Sequence, residues 1–371
     1  MNKYFLFFLI LIQLVVAGSA CASDFFVRNY LSGVTLNKHQ LEFSADYLVM
    51  NDTVDLLDIK ESRMSSVSST FSGDSIGDLK GGQLLVAYGL SDEWLLSGGY
   101  VYRDLDVTVS NFEIDSYELA LTKRFNLDET DSLYAFLVLG GRYDTSTDFS
   151  TSNVAEIDYF AKKLGGNYSV SEKPGRIEIS DGNITLSSPI VNRDGSLKQP
   201  LTLSMQDSTD YSVFIRGGVG KRWQQVNLSL FAEVGYSDIQ GDFDQNLDLY
   251  GVDSDNNLVA TLDQGLDRDE NYAKAGFDLY YETGFGVAAN LSYSYIVLDR
   301  DEGLNDFDTN HVVEGDLILW LNRHLALDVG AAYYSRQFNG VVPLLYNKYT
   351  QSSFDHDYGV VHCGLIVNLG R

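Results

Sequence analysis

The chain has 371 residues, with 26 basic against 52 acidic side chains, and so carries a formal net charge of −26 at pH 7. Binding to nucleic acid needs clustered lysine and arginine, so this balance excludes a nucleic-acid partner. Hydrophobic residues make up 44% of the chain, yet no apolar run reaches the length of about 20 residues that a membrane-spanning helix needs. Only four prolines occur, which suits a chain built mostly of hydrogen-bonded strands.

The N-terminus has the pattern of an exported protein. Lys3 precedes the apolar run Tyr4–Val16, and small residues follow as far as Ala22. This order of a basic start, an apolar stretch and a small-residue cleavage zone predicts a signal peptide over residues 1–22. Ala20 and Ala22 satisfy the usual cleavage pattern, and cleavage after Ala20 is the alternative.

The two cysteines, Cys21 and Cys363, give no intramolecular disulfide if cleavage follows Ala22, although the exported compartment would permit one. A further alternative makes Cys21 a lipidated N-terminus. Gly18 disfavours it, because lipoprotein signals usually have a large aliphatic residue at that position.

Alternation with a period of two residues organises the rest of the chain. In the segment 226–240 every second residue from Val226 to Tyr236 is apolar or aromatic, and the residues between them are mostly polar or small. Such alternation, bounded by turn residues, indicates strands with one apolar face. We predict twelve strands, near residues 39–50, 80–90, 94–108, 113–126, 133–147, 210–223, 226–240, 271–283, 286–299, 310–322, 325–338 and 356–370.

The connections between these strands alternate between short and long. Turns of a few residues follow every second strand, and the longest intervening segments are 51–79, 148–209, 241–270 and 339–355. This asymmetry is typical of an outer-membrane barrel with short periplasmic turns and long extracellular loops. We therefore predict an all-β, transmembrane, antiparallel up-and-down barrel in the outer membrane of a Gram-negative bacterium.

The predicted domain organisation has three parts. A signal peptide occupies residues 1–22, a short periplasmic or pore-inserted segment occupies 23–38, and the barrel occupies 39–371. The long loop 148–209 could fold inward as a plug or outward as a cap.

Charged side chains on the strands must face the lumen, since a charge on the lipid face costs about 2–4 kcal/mol near the bilayer midplane. They could pair across neighbouring strands and fill a narrow lumen, or line a water-filled acidic path. The predicted lumen charges are Glu42, Asp46, Glu118, Arg124, Arg216, Arg222, Glu233, Lys274, Asp278, Glu282, Glu314, Asp316, Asp328 and Arg336.

Aromatic residues predict where the barrel meets the membrane surface, because they join an apolar ring to a polar group. Trp94, Trp223 and Trp320 all fall at strand ends beside short turns, so we expect them at one membrane interface. Outer-membrane lipids and lipopolysaccharide are then the expected surroundings of the barrel.

The last strand, residues 362–369, resembles the C-terminal signal by which the barrel-assembly machinery recognises its clients. That family usually ends on an aromatic residue, whereas here Leu369 takes the place and two more residues follow. Twelve strands behind a short segment also resemble the translocator barrels of autotransporters, in particular solitary barrels without a passenger. The resemblance implies a membrane barrel with a segment inside its pore, for which Asp24–Leu31 could supply a helical turn.

Two clusters in predicted loops are candidate sites. Asp355, His356 and Asp357 could form the acid–base group of a rim-active hydrolase, of omptin or lipase type, or simply a solvated loop edge. Asp253, Asp255 and Asn257 match the opening of a calcium loop, but Leu258 and Gln264 stand where its glycine and glutamate belong. A solvated acidic loop is the default interpretation, and no cofactor and no histidine-based metal site is predicted.

The function predicted from sequence is therefore a narrow pore or a translocator-like barrel without a passenger, of unknown substrate and without enzymatic activity. The alternatives are a hydrolase acting at the barrel rim and an adhesion barrel that binds surfaces through its long acidic loops.

Overall fold

The computed structural model describes residues 31–50, 76–107, 110–130, 132–155, 157–158, 169–180, 185–250, 267–283, 285–300, 308–336, 339–345 and 358–369. The strands are β1 (Leu41–Met50), β2 (Ile76–Ser91), β3 (Trp94–Val107), β4 (Ser110–Asn126), β5 (Leu133–Ser146), β6 (Phe149–Thr151), β7 (Ser169–Lys173), β8 (Arg176–Ser180), β9 (Thr185–Pro189), β10 (Leu203–Trp223), β11 (Val226–Gln245), β12 (Arg268–Glu282), β13 (Val287–Arg300), β14 (Thr309–Asn322), β15 (Leu325–Tyr334) and β16 (Tyr358–Leu369). Among the described residues, no helix is both long enough and apolar enough to cross a membrane.

Twelve of these strands form one closed antiparallel barrel. Each pairs with its neighbour along the chain, β10 follows β5 directly in the wall, and β16 pairs with β1. The closing register sets Leu41 opposite Leu369 on one side and opposite Tyr88 on the other. The prediction of an all-β antiparallel barrel of about twelve strands is confirmed. The predicted starts of two strands were late, since β2 begins at Ile76 and β10 at Leu203.

The two ends of the barrel differ in how the strands are joined. At one end, called the turn end here, the connections are 92–93, 127–132, 224–225, 283–286 and 323–324. The opposite end, called the loop end, carries the chain segments between β1 and β2, β5 and β10, β11 and β12, and β15 and β16. Which end faces the periplasm stays a prediction.

The described parts of the 148–209 segment form two structures. β6 pairs with the first residues of β10, with Thr151 opposite Leu203, and so lengthens the wall at the loop end. β7, β8 and β9 form a separate three-stranded sheet. Val170, Ile177 and Ile179 of this sheet are buried.

The outer face of the barrel is apolar because the strands alternate. Leu119 and Val213 are 62% and 61% exposed, whereas Ser116 and Asp210, which face inward, are 5% and 0% exposed. A continuous apolar surface of this extent needs a partner that is not water. Its members include Leu84, Leu96, Leu119, Leu139, Val213, Leu230, Leu291, Leu317, Val329 and Leu365, all more than a third exposed.

Tyrosines form a ladder across the outer face. Tyr100, Tyr117, Tyr143 and Tyr211 are paired directly across β3, β4, β5 and β10. The ring centroids of Tyr143 and Tyr211 are 4.7 Å apart, and those of Tyr100 and Tyr117 are 5.2 Å apart. Rings at these separations attract each other beyond the area they bury. The ladder joins four adjacent strands on the surface that faces away from the lumen.

Glycines on the inner wall leave room for aromatic rings from neighbouring strands. A Cβ on Gly218 would lie 2.4 Å from the Phe136 ring and 2.4 Å from the Leu230 carbonyl oxygen. Gly140 accommodates Phe214 and Gly220 accommodates Tyr134 in the same way. These rings fill part of the lumen close to the wall.

Gly218→Ala should therefore destabilise the barrel by about 1–3 kcal/mol, the usual cost of overpacking a well-filled interior. Gly217→Ala is the matched control, since its Cβ would point to the outer face and meet no atom closer than 3.9 Å. Urea unfolding in detergent micelles measures the stability of both variants, and the loss of heat-modifiable migration on gels reports the unfolding. Equal stabilities of the two variants would contradict this account of the inner wall.

Candidate functional site in the barrel lumen

The lumen contains a polar chamber between two internal closures. The chamber has a volume of about 380 Å³ and is lined by side chains from most strands of the barrel and by Leu31 and Val341. Its charged and titratable lining residues are Arg103, Glu118, Arg142, Arg216, Lys274, Asp278, Glu314, Asp316 and His362.

The turn-end closure consists of Leu31–Gln40, which lie inside the barrel immediately before β1. Leu36 packs against Ala87 and Leu95, while Val34 packs against both that group and the cluster around Ile318. Leu31 contacts a third cluster, built around Phe136. The segment thus contacts three parts of the wall and narrows the lumen at this end.

Hydrogen bonds to distant parts of the chain hold the turn-end closure in place. The Thr35 hydroxyl donates to the Asp92 carbonyl oxygen at 2.7 Å, and the Gln40 amide donates to Asn368 Oδ1 at 2.9 Å. Gly33 has a φ of 78° and lies against the Phe136 ring, where a Cβ would be only 2.3 Å from ring carbons. Both the conformation and the close approach require glycine at this position.

The loop-end closure consists of Asn339–Leu345, from the connection between β15 and β16. Val342, Leu344 and Leu345 are buried in a cluster with wall residues that include Leu79 and Ile239. Fully burying a valine or leucine side chain contributes about 1.5–3 kcal/mol, so these three residues seat the segment firmly.

Three arginines of the wall bind the loop-end closure. Arg142 donates to the Val341 carbonyl oxygen at 2.9 Å, and Arg268 donates to the Pro343 carbonyl oxygen at 2.5 Å. Arg300 donates to the side-chain oxygen of Asn339. The backbone of a segment that lies inside the lumen is thereby hydrogen-bonded, as a buried backbone must be.

The same arginines pair with carboxylates of the barrel wall. Arg300 Nε lies 2.6 Å from Glu270 Oε2, which also lies 3.8 Å from Arg268 Nη2. Arg142 Nε lies 2.8 Å from Asp144 Oδ2, and its Nη2 lies 3.6 Å from Asp210 Oδ2. Each guanidinium therefore keeps an ion-pair partner on the barrel itself, whatever the position of the closure.

Near the middle of the lumen, Arg216 Nε forms a buried ion pair with Glu233 Oε2 at 2.6 Å. The Arg216 guanidinium also lies 4.3 Å from the centroid of the Phe231 ring and donates to the Leu31 carbonyl oxygen at 3.4 Å. This residue therefore links the wall, the aromatic lining and the turn-end closure.

Four charged residues of the chamber make few hydrogen bonds with the described residues. Lys274 and Glu118 make none, although Lys274 lies opposite Glu233 and Glu118 lies opposite Arg142 in the strand register, so each faces an opposite charge. Arg103 donates once, to the Ser116 hydroxyl at 2.7 Å. Glu314 accepts one long bond of 3.4 Å from Ser292. Two cationic and two acidic groups can thus bind a solute.

The acidic wall of the chamber lies on β14, β15 and β16. Asp316, Asp328 and His362 have ligand atoms that all lie within 4.8 Å of one another. His362 Nε2 is 3.0 Å from Asp316 Oδ1, and Asn290 donates to Asp316 Oδ2 at 3.2 Å. Asp46 of β1 lies beside this group, opposite Gly364 in the register.

The predicted lumen charges divide by their position along the barrel. Glu42, Asp46, Arg216, Glu233, Asp278, Asp316 and Asp328 are buried inside it. Glu118, Lys274 and Glu314 are half-buried and line the chamber, while Arg336 is half-buried at the loop end. Arg124 lies over the Tyr134 ring near the turn end. Arg222 is exposed at the turn end, one residue before the end of β10.

The predicted interface tryptophans differ among themselves. Trp94 and Trp223 are 38% and 46% exposed at the turn end, beneath the ammonium groups of Lys123 and Lys221. Trp320 lies at the same end but is half-buried and packs against the inward-facing cluster of Ile318 and Ala326. Its place in the alternation puts it on the inner face, whereas its closeness to a short turn predicted a membrane-interface position.

Several predicted site residues lie outside the described residues. These are the hydrolase candidates Asp355, His356 and Asp357, the calcium candidates Asp253, Asp255 and Asn257, and the signal peptide with Cys21.

Sequence reasoning missed several members of the charged network. Arg103, Arg142, Asp144, Asp210, Glu270, Arg300 and His362 all face the lumen. Period-two alternation carried the signal: Leu137 and Leu139 point outward, so Arg142 and Asp144 on the same strand must point inward. The loop-end closure had no comparable signal, because its apolar residues show no strand periodicity.

Ion-pair energetics give a direct test of the lumen network. Arg216→Met should destabilise the barrel by about 3–5 kcal/mol, because Glu233 would remain buried after losing its closest ion-pair partner. The double variant R216M/E233M should recover most of that loss, since a buried ion pair can be replaced by apolar groups at little net cost. Urea unfolding in micelles measures both, and a double variant no more stable than R216M would contradict this role.

No protein-family model matches the chain, and no curated protein matches it. Solved structures similar to it include the translocator domain of the autotransporter NalP from Neisseria meningitidis, at 11% identity and a TM-score of 0.43, covering 90% of each chain. The NanC porin is similar at 8% identity and a TM-score of 0.43, covering 89% of this chain and 100% of its own. The Pseudomonas putida toluene transporter TodX is similar at 9% identity and a TM-score of 0.43, covering 95% and 96%.

Proposed function

We propose that this chain is an outer-membrane barrel of a Gram-negative bacterium and acts as a gated narrow pore for small charged solutes. One observation carries the proposal: a chamber of about 380 Å³ with charged walls lies inside a closed barrel, between two closures made from the same chain.

The outer surface supports the membrane location. The barrel strands have between 10 and 21 residues, and a tilted strand needs about 9–11 to cross the hydrocarbon layer. Their outward side chains are apolar, and the exposed Trp94 and Trp223 lie together at one end. An exported precursor, as the N-terminal pattern predicts, would reach that membrane.

The contacts of the loop-end closure support gating there. When this segment leaves, Arg142, Arg268 and Arg300 lose bonds to its oxygen atoms, which water can replace, but they keep Asp144, Asp210 and Glu270 as partners. Each arginine thus keeps a carboxylate within 4 Å after opening, with Arg268 and Arg300 sharing Glu270. The main free-energy cost of opening is exposure of the apolar residues of the segment. Substitution of those residues can change this cost.

The chamber chemistry supports the solute class. Lys274 and Arg103 offer donors, while Glu118 and Glu314 offer acceptors, all facing the same enclosed volume. A solute that carries both a negative and a positive group fits this pattern better than an apolar one, because it can pair with both kinds of side chain.

The gate is tested with the double variant V342S/L344S, which weakens the apolar seat of the loop-end closure. In planar bilayers we expect the wild type to conduct rarely and the variant to open more often or to a larger conductance. In the opened variant, Lys274→Gln should shift the reversal potential in a salt gradient toward cation preference, because one fixed positive charge is removed.

I177S/I179S is the matched control, because it makes the same kind of change in the separate β7–β9 sheet, none of whose described residues lines the chamber. It should conduct like the wild type. The proposal fails if V342S/L344S is as silent as the wild type, or if the control opens equally.

A translocator-type barrel is the second candidate, favoured by the passage of Leu31–Gln40 through the lumen ahead of β1. An epitope tag inserted between Ser23 and Asp24 distinguishes the two. For a pore whose N-terminus stays on the periplasmic side, the tag should resist protease added to intact cells. Cleavage of the tag on intact cells would favour the translocator instead.

A further inference from the structure

We propose that Asp316, Asp328 and His362 form a binding site for one divalent metal ion of the Zn²⁺ class. The three residues lie on adjacent strands β14, β15 and β16, and their ligand atoms are all within 4.8 Å of one another. The site is part of the lumen wall and is independent of whether the pore conducts.

Strand register brings the three residues together. Asp316 lies opposite Gly330, which in turn lies opposite His362, so the aspartate and the histidine flank a residue without a side chain. Asp328 faces inward from the same strand as Gly330, two residues away. No local spacing in the sequence shows this group, because each ligand comes from a different strand.

Glycine at position 330 clears the space that the ligands share. A Cβ there would lie 2.3 Å from Asp316 Oδ1 and 2.3 Å from His362 Nε2. Gly364 has the same relation to the next carboxylate, since its Cβ would lie 2.1 Å from Asp46 Oδ1. The polar atoms therefore converge over bare backbone, which leaves them free to approach a common point.

The distances suit coordination of a small ion. Metal–ligand bonds of 2.0–2.2 Å in a tetrahedral zinc site place neighbouring ligand atoms roughly 3.3 Å apart. His362 Nε2 and Asp316 Oδ1 are 3.0 Å apart, so these two ligands need a shift of only a few tenths of an ångström, and Asp328, within 4.8 Å of them, closes on the ion as it binds. The bond from Asn290 to the other oxygen of Asp316 orients that carboxylate, as outer-sphere partners of metal ligands do.

The donor set selects the class of metal. One imidazole with two carboxylates suits Zn²⁺ or Mn²⁺, whereas Ca²⁺ and Mg²⁺ prefer oxygen donors alone. Asp316 and His362 line the chamber, so an ion can enter from it, and a chamber water can complete the coordination.

Burial of the group favours a cation. Asp46, Asp316 and Asp328 are all less than a tenth exposed. Burying carboxylates is costly, and coordination of a metal ion is one of the standard ways to offset that cost.

The test is titration of Zn²⁺ into the full-length folded barrel in detergent micelles, after removal of metal by a chelator. Isothermal calorimetry should give one ion per chain, and millimolar Mg²⁺ should not displace it. H362Q and D328N should each lower the affinity at least tenfold. Heat-modifiable migration on gels shows whether each variant has folded.

H311Q is the matched control, since His311 lies on the outer face and bonds to the Tyr293 hydroxyl at 2.9 Å. Its affinity should equal that of the wild type. Crystals soaked in Zn²⁺ give a second measurement that needs no variant, an anomalous peak between β14 and β16. Absence of one-to-one binding, or equal affinities of the wild type and H362Q, would show that His362 and Asp316 form only an ion pair and would overturn the proposal.

Discussion

Closure of the strand order is the constraint on which the rest of this structure depends. Pairing of β16 with β1 leaves no open edge in the barrel wall, so the backbone of every wall strand is hydrogen-bonded on both sides. Only then can the outer face be apolar, because a lipid layer offers nothing to an unpaired N–H or C=O group. The same closure gathers the inward-facing charged side chains into one narrow space, and the chemistry of the lumen follows from that confinement.

Confined charges must be matched, and this lumen matches them in two ways. On the wall formed by β5, β10, β11 and β12, arginines and carboxylates pair at close range, as Arg216 does with Glu233. The guanidinium groups have donors to spare, and Arg142, Arg268 and Arg300 use theirs to hold a segment of backbone inside the barrel. On β14 to β16 the carboxylates instead gather beside a histidine. One set of residues thus supplies stability and a closure, while the other concentrates negative charge.

Much of this could be read from the sequence, because alternation with a period of two fixes both the strands and the face that each side chain occupies. The twelve strands and the inward position of Glu233 follow from it directly. Register does not, since nothing local shows that Asp316 and His362 flank the same glycine. The loop-end closure was also invisible, because Val342 and Leu344 lie in a segment without periodicity. Closeness to a turn predicted a membrane-interface position for Trp320, although the alternation places it on the inner face.

The turn-end closure ties together parts of the chain that are far apart in sequence. Gln40 bonds to Asn368, 328 residues away, while Val34 packs beside Ile366 and Leu31 packs beside Phe136. Contacts of such long sequence separation form slowly, because the entropy of closing the intervening chain must be offset first. Gln40 and Val34 therefore cannot make all their contacts until the last strand has joined the first. Their burial marks a finished barrel, and their exposure marks an unfinished one on which chaperones and proteases can act.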